Sequence, residues 1–311
     1  MDDEVIRERR HLVSLAFRML GTVAEAEDAV QETYARWYRL DPADRDAIEV
    51  PRAWLTRVAS RVCLDVLSSA RMRREQYVGP WLPEPVPSSA FAGAGMGWGA
   101  DAGTGVGLDP LEHVTLDESI STALLVVLES MTPAERVVFV LHDVFALPFD
   151  DIAGIVGRST AACRQLATSA RRRVQQNRSR RVPRGEHDAV VRAFAAASRG
   201  GDLSALIATL DPDVVLRSDG GGLVTAARKP VLGADRVARF LLGVLQKPDG
   251  TEVLEQQTPD GLGFALWNEG RIVGVVTLEV AVGLISDVRM VLNPQKLSLW
   301  ADVTDAGEGS A

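Results

Sequence analysis

The chain has 311 residues, 46% hydrophobic and 24% charged, with a formal net charge of −8. That length suits about two domains of roughly 150 residues each, and the composition is that of a folded globular protein, not a disordered or fibrous one. Apolar runs such as 123–128 and 137–141 fall far short of the ~20 residues that cross a bilayer, and the acidic start Met1-Asp2-Asp3-Glu4 lacks the apolar core of a secretory signal. A cytoplasmic protein with no membrane association is expected.

In chain order, Leu12, Leu15, Ala16, Met19 and Leu20 recur at helical spacing, and Gly21 stops that helix. Thr22 with Glu25 three residues on reads as a capping box opening the next helix. That helix turns Ala26, Ala29, Val30, Thr33, Tyr34 and Trp37 inward and Asp28, Gln31, Glu32 and Arg36 outward. After a polar loop over 40–50, Pro51 suits the first turn of a third helix. It buries Trp54, Leu55, Val58, Val62 and Val66 and shows Arg57, Ser60 and Arg61, then Arg71, Arg73 and Arg74. One outer face is acidic and the next basic, which suits a basic protein partner and nucleic acid respectively.

The stretch 78–107 is rich in Gly, Pro and Ala and reads as a flexible linker. Beyond it, Thr132-Pro133-Ala134-Glu135 combines a capping box with Pro at the first helical position. A short helix over 149–156 ends at Gly157, and Ser159 caps a second helix with Cys163, Leu166, Ala167, Ala170 and Val174 on its inner face. Two short helices joined by a Gly turn make a helix-turn-helix, whose second helix enters the major groove by its N-terminal end. Ser159, Thr160, Ala161, Arg164, Gln165 and Thr168 are the candidates to face bases; Arg164 matches guanine and Gln165 adenine bidentately. Arg171, Arg172 and Arg173 suit phosphates, which position without specifying. No acidic residue lies between Asp151 and Glu186, whereas nine arginines do, a local phosphate footprint in an acidic chain. Cys63 and Cys163 fall on helical inner faces and read as unpaired core thiols. No Cys/His spacing suits a metal, and no cofactor is expected.

The last part alternates differently. Helices over 186–197 and 203–210 precede a strand at 214–217, a loop at 219–222, a helix over 234–245 and strands at 262–267, 271–280 and 283–290. Asn268-Glu269-Gly270 is a hairpin turn. Helices followed by a curved antiparallel sheet make an α+β cone.

Taken together, these residues resemble the extracytoplasmic-function (ECF) RNA-polymerase σ factors. The segment Ala26-Glu27-Asp28-Ala29-Val30-Gln31-Glu32-Thr33 with Trp37 looks like their polymerase-docking region 2 helix, and Pro51-Arg52-Ala53-Trp54-Leu55-Thr56-Arg57-Val58-Ala59 like the helix that engages the −10 element. Many members have Asn near the position of Ser60. The stretch 149–173 is similar to region 4, which reads the −35 element. Trp81-Leu82-Pro83-Glu84-Pro85, Asp219-Gly220-Gly221-Gly222 and Asn293-Pro294-Gln295-Lys296-Leu297 resemble the group with a fused SnoaL-like C-terminal domain, Gln295 standing where that group has Asp.

The resemblance implies a multidomain chain: all-α region 2 over 1–78, a linker over 79–110, an all-α region 4 over 111–178, an α+β SnoaL-like cone-shaped domain over 185–300 and a disordered tail over 301–311. It implies polymerase-core contacts (β and β′ subunits) through Asp28, Gln31, Glu32 and Trp37, and −10 contacts through Trp54, Arg57, Ser60 and Arg61. Contacts to the −35 element fall to Ser159, Thr160, Arg164, Gln165, Thr168, Arg171 and Arg172. Regulatory contacts fall to Trp81, Leu82, Pro83, Glu84, Pro85, Asp219, Gly220, Gly221, Gly222, Asn293, Pro294, Lys296 and Leu297, the fused domain doing the work of a separate anti-σ factor. The cone also leaves room for a small-molecule ligand. Two other classes remain on the sequence: a one-component helix-turn-helix regulator, and a SnoaL-like enzyme with Asp219 as general base helped by His187 and Asp287. The first leaves the region 2 residues without a role, and a Gly-flanked Asp is more often a turn-former.

Overall fold

A computed structural model describes residues 2–74, 77–87, 121–178, 182–245 and 250–301. The remainder of the expected linker (88–110), the start of the region 4 span (111–120) and the tail 302–311 lie outside the described residues, as do the side chains of Arg71, Arg73, Arg74, Arg178, Arg180 and Arg181. The chain divides into two compact units, residues 1–75, 91–120 and 124–175 in one and 76–90, 121–123 and 176–311 in the other. No described helix is long and apolar enough to cross a membrane.

The first unit is helical. Helices α1 (Asp2–Arg7), α2 (Arg9–Leu20), α3 (Val23–Tyr38), α4 (Pro42–Asp46) and α5 (Pro51–Arg74) come first. After α6 (Thr122–Glu129), α7 (Pro133–Phe139) runs into a π-helical turn, Val140–Val144, and α8 (Phe149–Val156) and α9 (Thr160–Arg178) follow. The local signals act as expected. Gly21 at φ 85° ends α2, its N–H donating to the Phe17 carbonyl. Thr132 and Glu135 form the full reciprocal box that opens α7. At α3 the Thr22 side chain accepts from the Glu25 N–H and its hydroxyl donates to the Glu25 carboxylate at 3.0 Å. The segment 40–50, expected as a loop, contains the single exposed turn of α4, whose Pro42 start is a helix signal without an apolar stripe behind it.

Helices α2, α3 and α5 bury Leu12, Leu15, Phe17, Val30, Trp37 and Leu55 completely or nearly so. Helix α5 also packs on α7 and α8, so the two helical halves share one core. Arg136 of α7 joins them: only 3% exposed, it donates from Nε to the Leu128 carbonyl (2.9 Å) and from Nη1 to the Met19 carbonyl (2.7 Å), and it pairs with Glu129. Cys63 and Cys163 are free and buried.

His11 sits at the same junction. Its ring meets Phe145 edge-on at 5.3 Å and lies against Thr56 and Arg52. Burial, then the positive charges of Arg52 and Arg18, lower its pKa to about 4. The folded ring is therefore neutral where the unfolded one, near 6.5, takes up a proton. Stability from this group is complete above pH 6.5 and falls as pH drops toward 4, by at most about 3 kcal/mol. Urea titrations at pH 7.5 and 4.5 should show that loss in the native chain and a flatter response in His11→Gln; equal slopes would remove His11 as the cause.

The second unit is α+β. Helices α10 (Arg184–Gly200), α11 (Leu203–Ala208) and α12 (Ala234–Leu245) accompany strands β1 (Leu210–Asp219), β2 (Val231–Leu232), β3 (Glu252–Thr258), β4 (Gly261–Asn268), β5 (Arg271–Ala281) and β6 (Leu284–Val291). The six strands run in the order β2-β1-β6-β5-β4-β3. All neighbours are antiparallel except β1 and β6, which pair in parallel with Leu216 opposite Val288. The expected all-antiparallel sheet is thereby corrected to a mixed one: the chain leaves β1, makes the rest of the sheet and returns β6 alongside it. Strand β3 carries no sequence signal because Glu252-Val-Leu-Glu-Gln-Gln-Thr258 is a polar edge strand, almost wholly exposed. One sheet face supplies Leu216, Phe264, Val276, Leu278, Val288 and Met290 to a core with Val191 and Phe194 of α10 and Val237 and Leu241 of α12.

Candidate nucleic-acid interface and linker clasp

The helix-turn-helix forms from local rules. Gly157, at φ 69°, caps α8 and donates to the Ala153 carbonyl. The Ser159 side chain then accepts from the Ala162 N–H at 3.2 Å to open α9. Cys163, Ala167, Ala170 and Val174 are buried, which leaves Arg164, Gln165, Thr168, Arg171 and Arg172 exposed on the opposite face. Several of these groups already have partners. Thr160 donates to Asp150 (2.8 Å), the Thr168 hydroxyl bonds back to the Arg164 carbonyl, and the Arg164 guanidinium lies 5.6 Å over the Phe149 ring. Arg171 turns to the buried Asp143 carboxylate at 2.5 Å.

On the other helices, Asp28 and Gln31 are exposed on α3, and Glu32 is half-buried and paired with Arg36 at 2.8 Å. Trp37 requires correction as a polymerase contact. It is 0% exposed, its ring 5.2 Å from Trp54 in an edge-on pair, because a Trp on the inner face of an amphipathic helix is worth more in the core than at the surface. Ser60 also requires correction: it is buried and its hydroxyl closes on the Thr56 carbonyl (2.7 Å), the usual local bond of a helical Ser. Trp54 is part-buried, while Arg57 and Arg61 are exposed. Arg61 donates to the Gly154 carbonyl of α8 (2.7 Å), so the −10 candidate and the helix-turn-helix touch in this form of the first unit.

In the second unit the three remote motifs meet at one carboxylate. Asp219, at the end of β1, is 0% exposed. Its Oδ1 accepts from the Tyr77 hydroxyl (2.6 Å) and the Gly221 N–H (3.0 Å), and its Oδ2 from the Leu82 N–H (2.8 Å) and Lys296 Nζ (2.7 Å). The Lys296 ammonium is 4.0 Å from the Trp81 ring centroid, a cation–π contact. Burial first, then the hydrogen bond to Asp219, raises the Tyr77 pKa well above its ordinary value, so the phenol remains a donor. Asn293 donates to the Tyr77 oxygen (3.0 Å) and accepts from the Gln295 N–H, which starts the short turn carrying Lys296. Further along, Ser298 donates to Glu84 (3.0 Å) and Trp300 Nε1 to the Pro85 carbonyl (2.9 Å). The glycines have a steric reason: at Gly221, φ 61°, an added Cβ would lie 2.4 Å from Asn293 Nδ2.

Residues 78–87, read from composition as part of a flexible linker, are thus an ordered strap, buried over 82–87, in which Leu82, Glu84 and Val86 are at most 2% exposed. Tyr77, Ser298 and Trp300 were not singled out in the sequence; a lone Tyr four residues before Trp81 and a Trp beyond the last motif were the available signals. The proposed catalytic helpers do not join Asp219. His187 is held by Asp188 and the Leu278 carbonyl, both at 3.1 Å, and Asp287 by Arg217 and Arg289. No cluster of three or more metal-ligating side chains occurs among the described residues.

Comparison with known proteins fits this layout. Sigma-70 region 2 matches residues 5–73 and sigma-70 region 4 matches residues 121–174. The ECF RNA polymerase sigma factor SigJ of Mycobacterium tuberculosis is 45% identical over 241 residues, 77% of this chain and 71% of that protein. The chain belongs to the ECF sigma factors. The probable ECF sigma factor SigI of the same species is 37% identical over 294 residues, 93% of this chain and 92% of that protein. The crystal structure of M. tuberculosis SigJ superposes with a TM-score of 0.66 at 35% identity, covering 96% of this chain and 98% of that one. As an ECF sigma factor the chain serves transcription initiation, with helical regions 2 and 4 and an α+β domain behind them.

Proposed function

We propose that this sigma factor binds the RNA polymerase core, including its β and β′ subunits, through the α3 face that carries the exposed Asp28 and Gln31 and the half-buried Glu32. Promoter DNA is then read at the −10 element by α5, with Trp54, Arg57 and Arg61, and at the −35 element by α9, with Ser159, Thr160, Arg164, Gln165, Thr168, Arg171 and Arg172. The domain spans proposed are 1–78, 79–110, 111–178 and 185–300, and the site of action is the cytoplasm, where the polymerase works. The fused C-terminal domain tunes activity in place of a separate anti-σ factor. The observation that carries this last reading is the Asp219 clasp: strap 77–87, part of the chain that connects region 2 to region 4, is held by the buried carboxylate, Tyr77 and Lys296. The same four hydrogen bonds leave Asp219 no free lone pair to act as a general base, which supports a non-enzymatic role.

Run-off transcription with purified core polymerase tests the reading. The chain alone should direct initiation; complete dependence on a second σ factor would overturn it. Asp219→Asn should change run-off yield without changing promoter choice. On DNA, Arg164→Ala should cost about 1–3 kcal/mol and relax base preference at one −35 position. Arg172→Ala should instead weaken all sequences alike and reduce the salt slope by about one. Filter binding across a salt series separates the two, and equal losses on every base would place Arg164 on phosphate.

A further inference from the structure

The α+β unit contains a feature with no part in the clasp. Between α10, α12 and the inner sheet face lies a cavity of about 230 Å³. Its walls are apolar and polarizable: Phe194, Leu241, Phe264 and Met290, with the two phenyl rings 6.2 Å apart and 31° from parallel. An apolar cavity near 150 Å³ holds benzene, so this one takes a molecule of about ten non-hydrogen atoms.

One polar group breaks the apolar lining. Ser198 of α10 borders the cavity, and its hydroxyl is buried without a hydrogen-bond partner among the described residues. A helical Ser or Thr ordinarily bonds the carbonyl four residues back, as Thr33, Ser60 and Ser68 do in this molecule. Ser198 does not, and an unmade bond of this kind is costly unless something supplies the partner. At the exposed rim stand one cation, Arg199, and one anion, Glu255, the latter within 4.0 Å of Arg192. Below that rim the walls are apolar apart from the Ser198 hydroxyl, so a charged group inside the cavity finds nothing to replace its hydration.

We propose that this cavity is a binding site for a small neutral aromatic or alicyclic molecule carrying one hydroxyl or carbonyl, which pairs with Ser198 while Phe194, Phe264 and Met290 pack against the ring. The site is independent of the polymerase and promoter reading, and its test uses the full chain alone, so either can fail without the other.

The test is calorimetric titration of the full-length protein with 2-naphthol, naphthalene and 2-naphthoate. One 2-naphthol should bind per chain, about tenfold more tightly than naphthalene, the worth of one satisfied buried hydrogen bond. The carboxylate should bind more weakly than 2-naphthol because the cavity cannot replace its hydration. Ser198→Ala should retain naphthalene binding and lose the preference for 2-naphthol. Ala195→Phe, which fills the lining, should abolish both, with circular dichroism checking its fold; should that variant unfold, Ser198→Ala still decides. Absence of saturable binding by either neutral probe, equal affinities in the native protein, an undiminished preference in Ser198→Ala, or tightest binding of 2-naphthoate would each overturn the proposal.

Discussion

Asp219→Asn should lower the stability of the α+β unit by about 3–5 kcal/mol, the cost of breaking a buried ion pair from one side. The Lys296 ammonium, 6% exposed, loses its counter-charge, and the Tyr77 hydroxyl and Leu82 N–H face an amide with only one acceptor oxygen. An exposed pair would be worth no more than about 1 kcal/mol; burial decides between the two. Hydrogen exchange provides the measurement, because the Leu82 amide donates directly to the carboxylate. Its exchange should accelerate by about two to four orders of magnitude, and that of Leu292, bonded to the Asp219 carbonyl at 2.7 Å, should rise with it. The double variant Asp219→Asn, Lys296→Met should recover part of the loss, since it removes the uncompensated ammonium while the amide oxygen still accepts from the strap. A single-variant loss under about 1 kcal/mol would show that the clasp contributes no more than a surface pair.

Arg136→Ala should act on the helical unit with similar size, about 3–5 kcal/mol. Three acceptors depend on this guanidinium: the Leu128 carbonyl, the Glu129 carboxylate and the Met19 carbonyl at the end of α2. Burial lowers its pKa to about 9, so it remains cationic at neutral pH and complements the negative end of the α2 dipole. Because Met19 lies in region 2 and Arg136 in region 4, the variant should also loosen the two regions from each other. Limited proteolysis should cut it faster than the native chain, and urea unfolding should shift to lower midpoint. Arg136→Lys should recover less than half, as a single ammonium cannot reproduce the planar fork that serves three acceptors. Native-like stability of Arg136→Ala would mean that water takes over all three bonds.

Much of the first unit was legible in the sequence because its signals are short-range. The Thr132–Glu135 box, the stop at Gly21, the Gly157 turn and the inner stripe of Cys163, Ala167, Ala170 and Val174 each span a few residues, and each forms as read. Helix α12 has the bounds expected from its periodicity. Trp37 shows where family analogy outran the residues: the periodicity placed it inward, and it is inward, whereas Ser60, read onto the outer face, is buried.

The clasp shows what local patterns could not supply. Resemblance grouped the strap, the glycine loop and the Asn293 turn, yet nothing in spacing says that Tyr77 donates to a carboxylate 142 positions away, or that Lys296 is the cation beside it. The polar edge strand β3 and the parallel pairing of β1 with β6 were hidden for the same reason. Periodicity and capping report which side of an element is apolar and where it starts. The sequence by itself therefore determined the helix-turn-helix, the division into helical and α+β parts, and the family. Which buried charges find each other, and which arginines already have a partner, was decided only by the tertiary structure, because desolvation makes those long-range pairings obligatory once the core closes around them.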